Sequence, residues 1–449
     1  AQFEQIDGRM AERADDLRDI RDRLLRSLLG AETVDLSALP SDTVLLAERL
    51  TPSDTAELNP DAVAGIATVT GGRTSHAAII ARSLAIPAVV GVGDKLAEIE
   101  AGDEVLVDGE AGTVVVDPGE DERAVAGGVD TPVVDDRVAT ADGTEIEVAA
   151  NVGSEAELDP AVARGADGVG LFRTEFLFLD REQPPDEAEQ YAAITDALAA
   201  FPAERVVVRT LDIGGDKPVP YLDLPEESNP FLGRRGIRLS LGDHAGLFET
   251  QLRALLRAAA SEHGDSLAVM FPMATQIEEV EAAIDRVEAV ADDLAAEGLK
   301  HAIPELGVMI ETPAAAFLAD SLAERLDFLS IGTNDLTQYV MAVDRENDAV
   351  ADYHDPLHPA VLGAIDRTVS AAAGNDAWVG MCGEMAGDPA LTELLVGLGL
   401  DELSMSAVTV PAVKEQIQET TTDDATELAD AVRACDTRTG VQTVLDRRG

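Results

Sequence analysis

Between residues 145 and 420 the chain repeats one pattern eight times, an apolar β-rich run that stops at a polar or charged residue. The runs are EIEVAANV, GADGVGLFR, RVVVRTLD, LAVMFPMA, ELGVMIET, DFLSIGTND, WVGMCGE and ELSMS. Strands that are apolar on both faces belong to a parallel sheet buried between layers. Most of the runs are separated by amphipathic helical stretches, such as 278–294, so the pattern predicts an α/β fold. Eight strand–helix units in roughly 250 residues or a little more match a (β/α)8 TIM-type barrel, here expected over 144–420. In such barrels chemistry occurs at the C-terminal ends of the strands. That is where Arg173, Arg209, Glu311, Asn334, Asp335 and Cys382 fall.

The remainder divides around this block. Leu17, Ile20, Leu24, Leu25 and Leu28 recur at helical spacing and Gly30 offers a stop, giving a connecting helix over 1–30. Short β-rich runs and one helix over 31–117 read as a compact α/β unit. The stretch 118–143 is acidic and broken by Gly127, Gly128 and Pro132, as in a flexible linker, and 421–449 reads as a C-terminal helical segment. The chain does not start with methionine and opens directly on a helical pattern, so we expect it to begin within a longer protein.

Charge excludes some functions. A formal charge of −53 repels nucleic acid and anionic lipid. The carboxylates are dispersed, and Lys95, Lys217, Lys300 and Lys414 are the only lysines, a surface suited to a salt-saturated cytoplasm where screening suppresses self-repulsion. No apolar run is long enough to span a bilayer, no secretory signal opens the sequence, and Cys382 and Cys435 form neither a CxxC pair nor a disulfide framework. A cytoplasmic protein is expected.

Two constellations carry chemistry. In GGRTSHAAIIARSLAIPAVVG, 71–91, a Gly-Gly turn precedes Ser75, a plausible N-cap, and a helix from Ala77. His76 then sits at a helix N-terminus, where free N–H groups and the dipole stabilise an anion; a surface or capping histidine is the plainer alternative. On the barrel rim, Arg173 and Arg209 end consecutive strands roughly 5 Å apart and could clamp one phosphate, or each could close an ion pair with Glu175 or Asp212. Glu311 and Asp335 end the fifth and sixth strands and present two hard oxygen ligands suited to Mg²⁺, or serve as caps and ion-pair partners. Cys382 ends the seventh strand, where a thiol could protonate a carbanionic carbon, or be a small buried apolar residue. Lys217 is a compact cation beside a Gly-Gly turn.

The His76 segment resembles the phosphohistidine motif shared by enzyme I of the sugar phosphotransferase system, pyruvate phosphate dikinase and phosphoenolpyruvate synthase. RTLDIGGDKPVPY followed by SNPFLGRRGIR is similar to the enzyme I form in particular. The resemblance, from about residue 11 to the end, implies a swivelling phosphohistidine domain (31–117) before the barrel. It implies phosphoryl transfer from phosphoenolpyruvate to His76, supported by Thr55 in TPSDTAEL, and on to the small phosphocarrier protein (HPr), releasing pyruvate. It further implies substrate binding by Arg173, Arg209, Lys217, Asn334 and Arg345, Mg²⁺ on Glu311 and Asp335, proton donation by Cys382, and a homodimer through the barrel. Two departures stand out. By the resemblance, the region in which the family docks its carrier is expected upstream of residue 1, outside the sequence given, and the usual long helical linker is read as shortened to 118–143. A dikinase or synthase piece, and a non-catalytic regulatory relative, are the competing readings.

Overall fold

The computed structural model describes residues 36, 39–40, 43–50, 62–70, 81, 86–93, 95–96, 99, 101–109, 113–116, 118, 133–179, 181–214, 219, 221–222, 224, 227–345, 347 and 349–447. The chain divides into two compact units, 1–130 and 131–449.

In the first unit three parallel strands, β1 (Thr43–Ala47), β2 (Val63–Thr68) and β3 (Ala88–Val89), lie in that order. An antiparallel pair, β4 (Val105–Asp108) and β5 (Thr113–Val116), forms a separate ribbon. Leu50, Val63, Ile66, Ala81 and Ile86 make its small core. His76 and Thr55 lie outside the described residues.

The second unit is the expected barrel. Its strands are β7 (Glu145–Val152), β8 (Val169–Arg173), β9 (Val206–Arg209), β10 (Leu267–Phe271), β11 (Glu305–Ile310), β12 (Phe328–Gly332), β13 (Trp378–Cys382) and β14 (Glu402–Met405). Each pairs in parallel with the next, and β14 pairs with β7 to close the ring. The short strand β6 (Val138–Ala139) runs antiparallel to β7. Alternation along each strand sorts the core into two layers. Val206, Val208, Val269, Val308, Leu329 and their neighbours pack outward against the helices, while Leu171, Val207, Ala268, Met270, Met309, Phe328 and Cys382 fill the interior. Gly307 makes that filling possible, since a Cβ there would stand 2.5 Å from the Phe328 ring. The barrel is therefore a packed core with two usable ends, a rim where strands finish and a floor where they start. Among the described residues no helix is long and apolar enough to cross a membrane.

Candidate active site at the barrel rim

Arg209 closes β9 opposite Arg173 on β8, the two being direct register partners. Their side chains then part company. Arg209 is buried and sits among carboxylates, 2.5 Å from Glu175, 3.1 Å from Asp212 and 3.5 Å from Glu311. Arg173 is partly exposed, 3.8 Å from Glu157, with its guanidinium 4.8 Å above the Phe176 ring. Both arginines keep a buried Nε without a hydrogen-bond partner. A backbone and side-chain relay fixes the strand ends. Gln251 donates to the Thr174 hydroxyl, which donates to the Arg209 carbonyl, and the Gln251 amide oxygen accepts from Leu211 N–H at 2.8 Å.

The two rim carboxylates follow β11 and β12. Glu311 accepts a 2.8 Å bond from the Met273 N–H, and Gly332 lets the next strand pass, since a Cβ there would lie 2.8 Å from Glu311 Cγ. Asp335 opens the helix Thr333–Met341. Between them lies a residue for which the sequence reading assigned no role. Arg235 is 3% exposed and holds Asp212 through Nε and Nη2 at 2.9 Å each and Asp335 through Nη1 at 2.9 Å and Nη2 at 3.1 Å. Its signal was the GRRGIR stretch, two arginines between glycines. Gly214, at φ +144°, allows the loops to meet, because a Cβ there would be 2.3 Å from the Arg234 carbonyl oxygen. Arg345 adds a second cation, 3.5 Å from Asp335.

These contacts set opposite charge states for the two acids. Burial raises Asp335, but Arg235 and Arg345 outweigh it and hold the carboxyl below its usual range. Burial, with Asp335 and Asp212 adding like charge, pushes Glu311 up to about 7 despite Arg209. Glu311 and Asp335 thus offer two hard carboxylate donors at adjacent strand ends, of the kind Mg²⁺ takes, while among the described residues no group of three or more such side chains gathers to hold a metal.

Cys382 ends β13, buried beneath this cluster, and burial first pushes its thiol up to about 12. The thiol is therefore neutral and keeps its proton at physiological pH. Gly383, at φ +120°, turns the chain beside it, a Cβ there falling 2.4 Å from the Thr333 hydroxyl, which itself donates to the Cys382 carbonyl at 3.1 Å. Asn334 is half-buried, and its carbonyl accepts from His354 Nε2 at 3.0 Å. Seven of the eight rim residues singled out from the sequence are described, and Arg209, Glu311, Asp335 and Arg345 join one network. Lys217 lies outside the described residues.

Family matches give the class, an enzyme that draws on phosphoenolpyruvate. The family model described as "PEP-utilising enzyme, PEP-binding domain" matches residues 131–422, and the one described as "PEP-utilising enzyme, mobile domain" matches 39–112. A phosphoenolpyruvate-protein phosphotransferase from Haloferax volcanii is 65% identical over 445 residues, 99% of this chain and 79% of that protein. One from Haemophilus influenzae is 44% identical over 94% of this chain and 75% of its own length. An NMR structure of enzyme I is 50% identical over 27% of this chain and 49% of that chain, with a TM-score of 0.24. The chain belongs to the phosphoenolpyruvate-protein phosphotransferase family and is a transferase.

Proposed function

We propose that the chain takes the phosphoryl group of phosphoenolpyruvate onto His76 and passes it to the histidine of a small phosphocarrier protein, HPr. The observation that carries this reading is the single network of Arg209, Arg345, Glu311 and Asp335 at the end of the barrel where such folds do chemistry. Arg173, Arg209, Lys217, Asn334 and Arg345 bind the substrate anion. The two orphaned guanidinium Nε atoms and the Arg173–Arg209 register support a phosphate between these strands. Glu311 and Asp335 hold Mg²⁺, which when bound supplies positive charge against the substrate oxygens.

Phosphoryl transfer asks for alignment and charge neutralisation. A ring nitrogen of neutral His76, supported by Thr55, forms the new N–P bond as the bridging P–O bond of the substrate breaks, and the imidazole later sheds its proton. The departing enolate takes a proton on carbon from the Cys382 thiol, giving pyruvate and a thiolate that is reprotonated from solvent. A thiol held neutral by burial suits that task, since only the protonated form can donate. We assign 31–117 to the swivelling phosphohistidine domain and 144–420 to the barrel. Of the expected linker, 118–143, the part from Val134 on is fastened to the barrel by Lys414 and by β6, so the swing falls to the residues before it. The protein acts in the cytoplasm, as a homodimer through the barrel.

Labelled phosphoenolpyruvate tests the reading. Acid-labile label on the protein, with pyruvate in equal amount, should require Mg²⁺ and vanish in His76→Ala. Pyruvate release that ignores Mg²⁺, or label that survives His76→Ala, would overturn it.

A further inference from the structure

The floor of the barrel holds a second cluster of buried charge that the phosphotransfer chemistry does not use. Glu147 on β7 and Glu402 on β14 are direct partners in the strand pair that closes the ring. Glu402 is 1% exposed and Glu147 8%. Glu147 Oε2 accepts from Arg205 Nη1 at 3.1 Å, with Arg137 3.7 Å away. Arg205 comes only within 3.9 Å of Glu402 Oε2, too far for a hydrogen bond. That leaves Glu147 Oε1 and Glu402 Oε2 buried without a partner, one on each side chain. Glycine makes room for Glu402 within the barrel, since Cβ atoms at Gly170 and Gly380 would stand 2.5 and 3.0 Å from its Oε1.

Other charges nearby do not relieve the pair. Arg137 also pairs with Glu204 at 2.5 Å, and Lys414 is taken by Asp167 at 2.6 Å. Asp401 accepts from the Val379 N–H, and Glu305 from the Trp378 indole N–H. Glu145 lines the adjoining 260 Å³ cavity, and Glu262, His263 and Asp265 line the neighbouring one of 480 Å³. The cations facing the pair are Arg205 and Arg137, against Glu147, Glu402, Glu204 and Asp401, so the floor carries excess negative charge. Two buried carboxylates side by side are costly unless one is neutral.

We infer that Glu147 and Glu402 share one proton, carried by Glu402 and donated to Glu147 Oε1, and that losing it loosens the barrel floor around Arg205. One proton satisfies both orphaned oxygens at once. Burial and then the Glu147 charge push Glu402 up to about 8, which agrees with the geometry. Glu147 is raised too, by burial, but its ion pair with Arg205 makes it the carboxylate of the two. The sign follows. An acid raised on folding costs nothing below the ordinary carboxylate range; the cost grows as pH rises towards about 8 and then levels off.

The floor contains its own reporter. Trp378 is the only tryptophan of the chain, stacked 4.3 Å from Phe328, with the Arg205 guanidinium 3.9 Å above its ring. Its fluorescence should follow whatever Arg205 does when Glu402 ionises. In the full chain at high salt, emission should show a one-proton step within about a unit of pH 8. Glu402→Gln should remove that step while circular dichroism stays native, and Glu147→Gln should move it to lower pH. Emission that stays flat from roughly pH 6 to 9 in the unsubstituted protein, or a step that persists in Glu402→Gln, overturns the inference. If Glu402→Gln does not fold, an unshifted step in Glu147→Gln overturns it equally.

Discussion

The rim and the floor of the barrel are built from the same side chains. Each has arginines facing buried carboxylates, and each has a glutamate that burial pushes up to about 7 or 8, Glu311 at the rim and Glu402 at the floor. What separates them is who supplies the opposing groups. At the rim, carboxylates and cations come from four loops, held by Gln251, Gly214 and Gly332, and two arginine Nε atoms remain unsatisfied. At the floor the orphans are oxygens, one on each of two adjacent strands. A buried charge cluster by itself does not mark an active site. Orphaned donors call for an anion, whereas two orphaned acceptors call for a proton.

The sharpest way to break this contrast is Arg209→Met. Removing it takes a buried cation from beside Glu175, Asp212 and Glu311, so we expect loss of stability of about 3–5 kcal/mol together with loss of detectable pyruvate release. Calorimetry and a coupled pyruvate assay read the two effects; a stable, active variant would place the substrate elsewhere. Next, Cys382→Ala should cut steady-state turnover by roughly 10²–10⁴-fold while leaving stability near native, because only proton donation is lost. Turnover within about twofold of native would remove Cys382 from the chemistry.

Floor substitutions should behave the other way. Lys414→Met leaves buried Asp167 and the carbonyls of Val134 and Asp136 without their donor. It should cost about 3–5 kcal/mol in thermal unfolding, with kcat/KM unchanged at temperatures where the variant is folded. The smallest effect belongs to Arg137→Gln. Its side chain is 43% exposed, its close partner Glu204 is 36% exposed and the buried Glu147 lies 3.7 Å away, so a loss under about 1 kcal/mol is expected, shrinking with salt. A larger or salt-independent loss would show that Arg137, not Arg205, neutralises Glu147.

Much of this was legible in the sequence, for a physical reason. Parallel barrel strands are buried on both faces and read as unbroken apolar runs, so EIEVAANV marks β7 residue for residue. Rim groups were legible because each breaks such a run at its end. Arg235 was not, because it sits in a loop and its partners Asp212 and Asp335 are separated from it by 23 and 100 residues. The floor pair was hidden differently. Glu147 and Glu402 each look like one acid at the start of a strand, and only closure of the ring sets the first strand beside the last.

The measurement that bears most directly on the whole account follows ³²P from labelled phosphoenolpyruvate in high salt with Mg²⁺, for native protein, His76→Ala and Arg209→Met. The account predicts acid-labile label and stoichiometric pyruvate in the native protein and neither in the two variants. Label retained in folded His76→Ala, or pyruvate formed by Arg209→Met at the native rate, would contradict it.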